Sequence, residues 1–323
     1  MFHSVLIKFV RLTFLISLGF MIIPFSASFA EAPFASVQAP GFYRFKLGAF
    51  EITALSDGTI ALPVDQLLDY PKEKIQADLE KSYLKAPVDT SVNGYLVNTG
   101  AKLVLIDTGA GRFFGPSVGK LVANLKASGY QPEQVDEIYI THLHADHIGG
   151  LVDGERLVFP NAVVRVDQSE ADYWLSQSNL EKASEGNKDF FKNAQAALIP
   201  YIKKGHFKNF SGEVEFAEGI KSLPFPGHTP GHTVYSIQSS GLRLDIVGDL
   251  IHVGSVQFAN PDVTVHFDVD TKNARKARMQ EFNQASKTGY MIAAAHIAFP
   301  GVGHLRNAGK GFTWIPINYV ANP

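Results

Sequence analysis

The residues best suited to chemistry are histidines and aspartates set at the ends of apolar runs. His142-Leu143-His144-Ala145-Asp146-His147 follows directly on Ile138-Tyr139-Ile140-Thr141. His228-Thr229-Pro230-Gly231-His232 opens onto the run Thr233 to Ile237, Gly248-Asp249 closes Leu242 to Val247, and His296 closes Met291 to Ala295. The chain contains no cysteine, so imidazole and carboxylate are the ligand types left for a zinc-like ion. The same absence excludes a disulfide framework, a thiolate metal site and a cysteine nucleophile. A strand end is rigid, and a tight loop on it can aim several side chains at one point. Metal-assisted hydrolysis is the chemistry such a cluster would do: a bound ion acidifies water and polarises a carbonyl or phosphoryl oxygen. A polar loop of solvated histidines is the plain alternative, and the repeated placement at strand ends argues against it. No G-x-S-x-G elbow supports a serine nucleophile.

The elements that must position these residues can be read from periodicity. Phe42 to Leu55 is two β-rich runs broken by Gly48, a hairpin. Residues 71–85 are charged and helix-prone. Gly94 to Val97 and Leu103 to Ile106, separated by Asn98-Thr99-Gly100, form a second hairpin that ends in Asp107. Val118 to Ser128 has helical spacing and stops at Gly129. Val135 to Ile140 is a short buried strand, and 169–177 and 188–204 are helical. Val234 to Ile237 and Leu242 to Val247 pair through Ser239-Ser240-Gly241; a polar helix spans 271–286, and Met291 to Ala295 is a last core strand. Hairpins interleaved with covering helices predict two mixed sheets face to face, an α/β (α+β) fold of four αβ/βα layers, within one domain.

In that order, HLHADH, GHTPGH, VGD and AAAH make the chain resemble the metallo-β-lactamase superfamily, and more narrowly its methyl parathion hydrolase-like branch. TSVNGYLVNTGAKLVLIDTGA (90–110), GYQPEQVDEIYITHLHADHIGG (129–150), FPNAVV (159–164) and FPGVGHLR (299–306) add to the likeness, which covers nearly all of residues 31–323. The resemblance implies a two-metal centre at one edge of the sandwich. Position by position, it gives one metal to His142, His144 and His232, the other to Asp146, His147 and His296, and Asp249 to both. Asp107 and His228 would stand behind the ligands. Five imidazoles and two carboxylates suit zinc, with iron and manganese open. Two metals sharing a water would supply hydroxide near neutral pH, with Asp146 and Asp249 setting metal charge and able to accept a proton.

Relatives in that branch cleave aryl phosphotriesters, and related enzymes open lactones or cleave aryl esters. Phe114, Trp174, Phe190, Phe191, His252 and Phe267 are the candidate pocket residues. His252 and Phe267 are bulkier or more polar than a roomy phosphotriester pocket calls for. Carboxyl-ester or lactone hydrolysis therefore ranks first, organophosphate hydrolysis second, and a secreted zinc-binding protein without turnover is the non-enzyme reading. A β-lactamase is disfavoured by the Asp249 ligand, and a glyoxalase-like thioesterase by the lack of clustered cations.

Composition fits this picture. The chain is 46% hydrophobic and 19% charged with a net charge of −2, ordinary globular usage without a basic footprint for nucleic acid. Lys8 and Arg11, the apolar run from Leu12 to Phe25 and the small-residue site Ala27-Ser28-Phe29-Ala30 read as a secretory leader over 1–30, cleaved before Glu31. The run is shorter than the ~20 residues that span a bilayer. The expected mature chain, 31–323, would be periplasmic or secreted and hold no membrane anchor. The resemblance further suggests a homodimer.

Overall fold

The computed structural model describes residues 32–321. The expected leader, 1–30, lies outside them. Residues 32–38 carry no helix or strand, and the compact unit begins at Ala39.

Sixteen strands are present among the described residues. The first sheet takes β1 (Phe42–Leu47), β2 (Phe50–Leu62), β3 (Val88–Asn98), β4 (Leu103–Ile106) and β5 (Glu137–Tyr139) in sequence order. A separate two-stranded ribbon, β6 (Val152–Asp153) and β7 (Arg156–Leu157), follows; β8 (Val163–Asp167) and β9 (Phe207–Phe210) then complete that sheet. The second sheet runs, again in order, through β10 (Glu215–Ala217), β11 (Ile220–Pro224), β12 (Thr233–Ser239), β13 (Leu242–Ile246), β14 (Met291–Ala293), β15 (Val302–Asn307) and β16 (Phe312–Pro316). The pairs β4–β5, β5–β8, β8–β9 and β13–β14 are parallel, and the other pairs are antiparallel.

The four-layer sandwich expected from the sequence follows from which way side chains alternate. Val104 and Ile106 of β4 enter the layer between the sheets, where they join Ile52, Tyr139, Tyr235, Ile237, Leu244 and Ile246. Leu103 and Leu105 point the other way, into a cluster with Leu125, Ala194, Leu198 and Tyr201 of the helices Leu121–Ala127 and Lys188–Lys203. A strand buried on both faces must read as an unbroken apolar run, and LVLI does. The second sheet is covered by the helix Thr271–Thr288 through Ala277, Phe282 and Ala285. Asp270 caps that helix, its carboxylate accepting from the Asn273 N–H at 3.0 Å. Among the described residues no helix is long and apolar enough to cross a membrane.

Eight strands, β6 to β11, β15 and β16, were not among the elements expected from periodicity. FKNF and EFA carry no clean alternation, and they form strands because a neighbouring strand offers a free edge.

Candidate metal centre

The C-terminal ends of four strands meet at one edge. β4 leads to Asp107, β5 leads into Thr141 and the histidine loop, β13 leads to Asp249, and β14 leads to His296. The open ends of parallel strands are where such sheets place ligand sites.

At the centre is the Asp249 carboxylate, 3% exposed, with its two oxygens facing two groups of ligands. Oδ2 lies 3.6 Å from His142 Nε2 and 3.4 Å from His228 Nε2, and His144 Nδ1 lies 3.0 Å from His228 Nε2. Oδ1 lies 3.1 Å from His147 Nε2, and His296 Nε2 lies between the two oxygens, 3.2 Å from each and 3.4 Å from Asp146 Oδ2. Each group has the residue types and spacing to hold an ion: His142, His144, His228 and Asp249 on one side, Asp146, His147 and His296 on the other.

The donor atoms fit that role for a physical reason. His142 Nε2, His147 Nε2 and Asp249 Oδ1 are buried with no hydrogen-bond partner. Burying an unpaired polar atom costs about 1–3 kcal/mol, so three in one spot is a deficit that divalent cations would remove. The far ring nitrogens are engaged. His147 Nδ1 is 2.7 Å from Asp107 Oδ2, His228 Nδ1 is 2.8 Å from Asp268 Oδ1, and His296 Nδ1 is 2.9 Å from the Ser91 carbonyl. A ring that donates from one nitrogen keeps the lone pair of the other for a metal.

Charge is distributed unevenly. Burial pushes the His142 and His144 imidazoles well below the usual histidine range. Burial acts the same way on His147, but Asp249, Asp107 and Asp146 outweigh it and hold that ring well above the range. His228 is pushed up to about 9, Asp249 and Asp268 prevailing over burial. Asp249 is held well below the carboxylate range, because the surrounding imidazoles, His147 and His296 foremost, overcome its own burial. Ion entry therefore displaces protons from the ligand set.

One expectation is reversed. His232 was placed among the ligands and His228 behind them, yet His228 faces the centre. His232 abuts β12, and its Nε2 accepts from the Asp249 N–H at 3.1 Å, holding the turn that presents the carboxylate. Gly248 makes room for this contact: its φ is +49°, and a Cβ there would come within 2.8 Å of His232 Nε2. The available signal was position. A residue further out along a loop beyond the strand reaches the edge site, whereas the last residue before the strand turns into the sheet.

Asp107 is the buttress that the resemblance placed behind the cluster. It occupies the left-handed region at φ +56°. It accepts from the Thr141 N–H at 2.9 Å and the Thr141 hydroxyl at 2.8 Å while contacting His147. Strain of this kind persists only where surrounding bonds impose it. Asp107→Asn is expected to lower zinc affinity of the His147 group by about 10–100-fold with the fold intact. Competition against a chromophoric chelator measures it, and unchanged affinity would remove Asp107 from the design.

The mouth of the centre is a cavity of about 230 Å³ with Asp146, Asp249, His252 and His296 on its floor and Ile60, Leu62, Phe114, Phe190 and Phe267 among its walls. Phe114, Phe190, His252 and Phe267 thus lie where pocket residues were expected. Trp174 and Phe191 are buried in the outer core, both 3% exposed, and line only the neighbouring cavity behind Phe190. His252 Nε2 lies 3.0 Å from Asp249 Oδ2, nearer than any candidate ligand to that oxygen, and neither ring nitrogen has a hydrogen-bond partner. Ile60 and Leu62 were not anticipated; they come from the far end of β2 and carry no local signal. Asp57 was also missed. Its carboxylate accepts the N–H groups of Ala110, Gly119 and Leu121, each at 2.9 Å, and so ties both ends of the loop carrying Phe114.

With this geometry established, comparison with known proteins is informative. The model of the metallo-beta-lactamase superfamily matches residues 87–296. A solved hydrolase, AbOPH in the beta lactamase superfamily, is 38% identical over 88% of this chain and all of its own, with a TM-score of 0.84. AidC, a dizinc quorum-quenching lactonase in complex with its product, is 30% identical over 87% of this chain and 98% of its own, with a TM-score of 0.80. An N-acyl homoserine lactonase of Bacillus sp. is 30% identical over 171 residues, 47% of this chain and 60% of that enzyme. The Bacillus thuringiensis lactonase is 27% identical over 45% of this chain and 57% of its own. The chain thus spans less than two thirds of the length of these Bacillus relatives.

Proposed function

The chain belongs to the metallo-beta-lactamase superfamily, and from that premise we propose that it is a two-metal hydrolase, with zinc the ion we favour, that opens the ester bond of a lactone. One observation carries the reading: the Asp249 carboxylate divides two groups of buried imidazoles at the floor of an apolar cavity. Ions held there supply, when bound, a water acidic enough to be deprotonated near neutral pH.

The chain's own residues do the rest. Phe114, Phe190 and Phe267 exclude bulk water and orient a flat ester against the floor. Asp146, the least buried of the acidic candidates, faces the cavity and can accept a proton from the attacking water. In the reaction one water adds across the acyl C–O bond, and the ring opens to a hydroxy acid. The lactonase names among the relatives, AidC foremost, support this class over other esters.

Aryl phosphotriester hydrolysis, the activity of the methyl parathion hydrolase-like branch, remains the second reading. It rests on the same ligand set but needs more room around phosphorus. His252 and Phe267, their rings 6.2 Å apart, narrow the floor on one side and favour a planar acyl centre.

The test compares kcat/KM for an N-acyl homoserine lactone, dihydrocoumarin, 4-nitrophenyl acetate and methyl paraoxon, before and after chelation and zinc restoration. A lactone is expected to exceed the phosphotriester by at least about tenfold, a margin within what pocket shape supplies. All four activities should fall on chelation and return with zinc. The reverse ranking would make phosphotriesters the substrate class, and activity that survives chelation would sink the two-metal reading.

A further inference from the structure

Glu170 is a fully buried carboxylate on the helix Gln168–Trp174, outside the ligand set. Its Oε1 accepts from the Leu143 N–H at 2.8 Å and from the Trp174 indole N–H at 2.7 Å. Its Oε2 accepts from the Gly231 N–H at 2.8 Å. Leu143 sits between His142 and His144, and Gly231 is three residues after His228. One side chain therefore joins the two loops that supply all three imidazoles of one group. The approach is close enough to demand glycine: a Cβ on Gly231 would lie 2.5 Å from the Glu170 nitrogen. The indole that Glu170 holds also packs edge-on against His144, ring centres 5.4 Å apart.

The other group is anchored elsewhere. His147 rests on Asp107 and His296 on the Ser91 carbonyl. None of the hydrogen bonds to Glu170 comes from those residues or their neighbours.

From this division we infer that Glu170 is a positioning residue for one metal position only, the one formed by His142, His144 and His228. Glu170 is then specific to that position, whereas Asp107 holds His147 directly and reaches the other group through Thr141, whose hydroxyl lies 3.1 Å from His142 Nδ1. The physical basis is loop registration. Three N–H donors converge on one carboxylate, so the loops cannot slide relative to each other without leaving a buried charge or a buried donor unpaired. The inference rests on the two-metal reading above.

Glu170→Gln tests it, because the amide keeps the shape but turns an N–H toward an N–H. Stepwise zinc affinities of the full chain are measured against a chromophoric chelator, with the melting temperature of the zinc-free protein recorded in parallel. His228→Ala identifies which step belongs to the three-histidine position. The expected result is a loss of about 10–100-fold at that step, with the other changed less than about threefold. A smaller loss at the same step is expected for Trp174→Phe, which removes one donor and leaves the carboxylate; this variant decides the matter if the Gln variant fails to fold. Equal weakening of both steps, or of neither, overturns the inference, since a merely structural role moves both together. Fewer than two zinc equivalents in the unsubstituted chain overturns the two-metal reading, and this inference with it.

Discussion

Asp249→Ala is expected to lower kcat/KM on the lactone proposed as substrate by about a thousandfold or more, equivalent to about 4 kcal/mol of lost transition-state stabilisation. Among the described residues no other side chain faces both ligand groups with separate oxygens, 3.1 Å from His147 on one side and 3.4 Å from His228 on the other. Without it, two cations would sit close together with no shared anion, and the imidazoles would lose the counter-charge that organises them. Zinc content should fall below two equivalents in the same variant. Asp249→Asn separates charge from shape: the amide fills the space but carries no charge, and its nitrogen cannot ligate. Elemental analysis beside steady-state kinetics checks both variants. An Asn variant with two zinc ions and activity within tenfold of the parent would show that the carboxylate does not organise the site.

His228 and His232 provide a sharper contrast, because sequence and structure assign them opposite duties. His228→Ala should remove one zinc equivalent and cost about a hundredfold in kcat/KM, leaving Asp268 without the ring it orients at 2.8 Å. His232→Ala should keep two equivalents and most of the activity. Its cost falls on stability, about 1–3 kcal/mol for the buried Asp249 N–H left unpaired. Zinc stoichiometry and thermal melts distinguish the two. The opposite pattern, zinc lost from the His232 variant and retained in the His228 variant, would restore the assignment drawn from motif position.

Much of the centre was legible because its ligands occupy places that periodicity marks. HLHADH, Asp249 and His296 each follow an apolar strand, and buried strands such as Leu103–Ile106 announce themselves as unbroken hydrophobic runs. The choice within GHTPGH was not legible. Two histidines four residues apart share one turn, and only the path of the chain into β12 decides which points outward. Glu170 was hidden for a different reason: in SEADYW it resembles any acid on a surface helix, and its burial comes from two loops that are 27 and 61 positions away. Trp174 and Phe191 were aromatic candidates that lie in the core instead: Phe191 shares a helix face with Ala194 and Leu198, and Trp174 is held by its indole N–H on Glu170.

The tie that Asp57 makes has a consequence for how such a protein changes. The loop from Ala110 to Gly119 starts and ends on one carboxylate, while Phe114, near its middle, is 45% exposed. Its closure is settled at its base, so residues around Phe114 can vary in number and kind at modest entropic cost. Gly111, whose φ is +54° and whose Cβ would run into the Gly149 carbonyl, is held to glycine. The ligands themselves lie outside the stretch between the anchors, on other loops and strand ends. One wall of the cavity, the part carrying Phe114, can therefore change while the ligands on its floor keep their places.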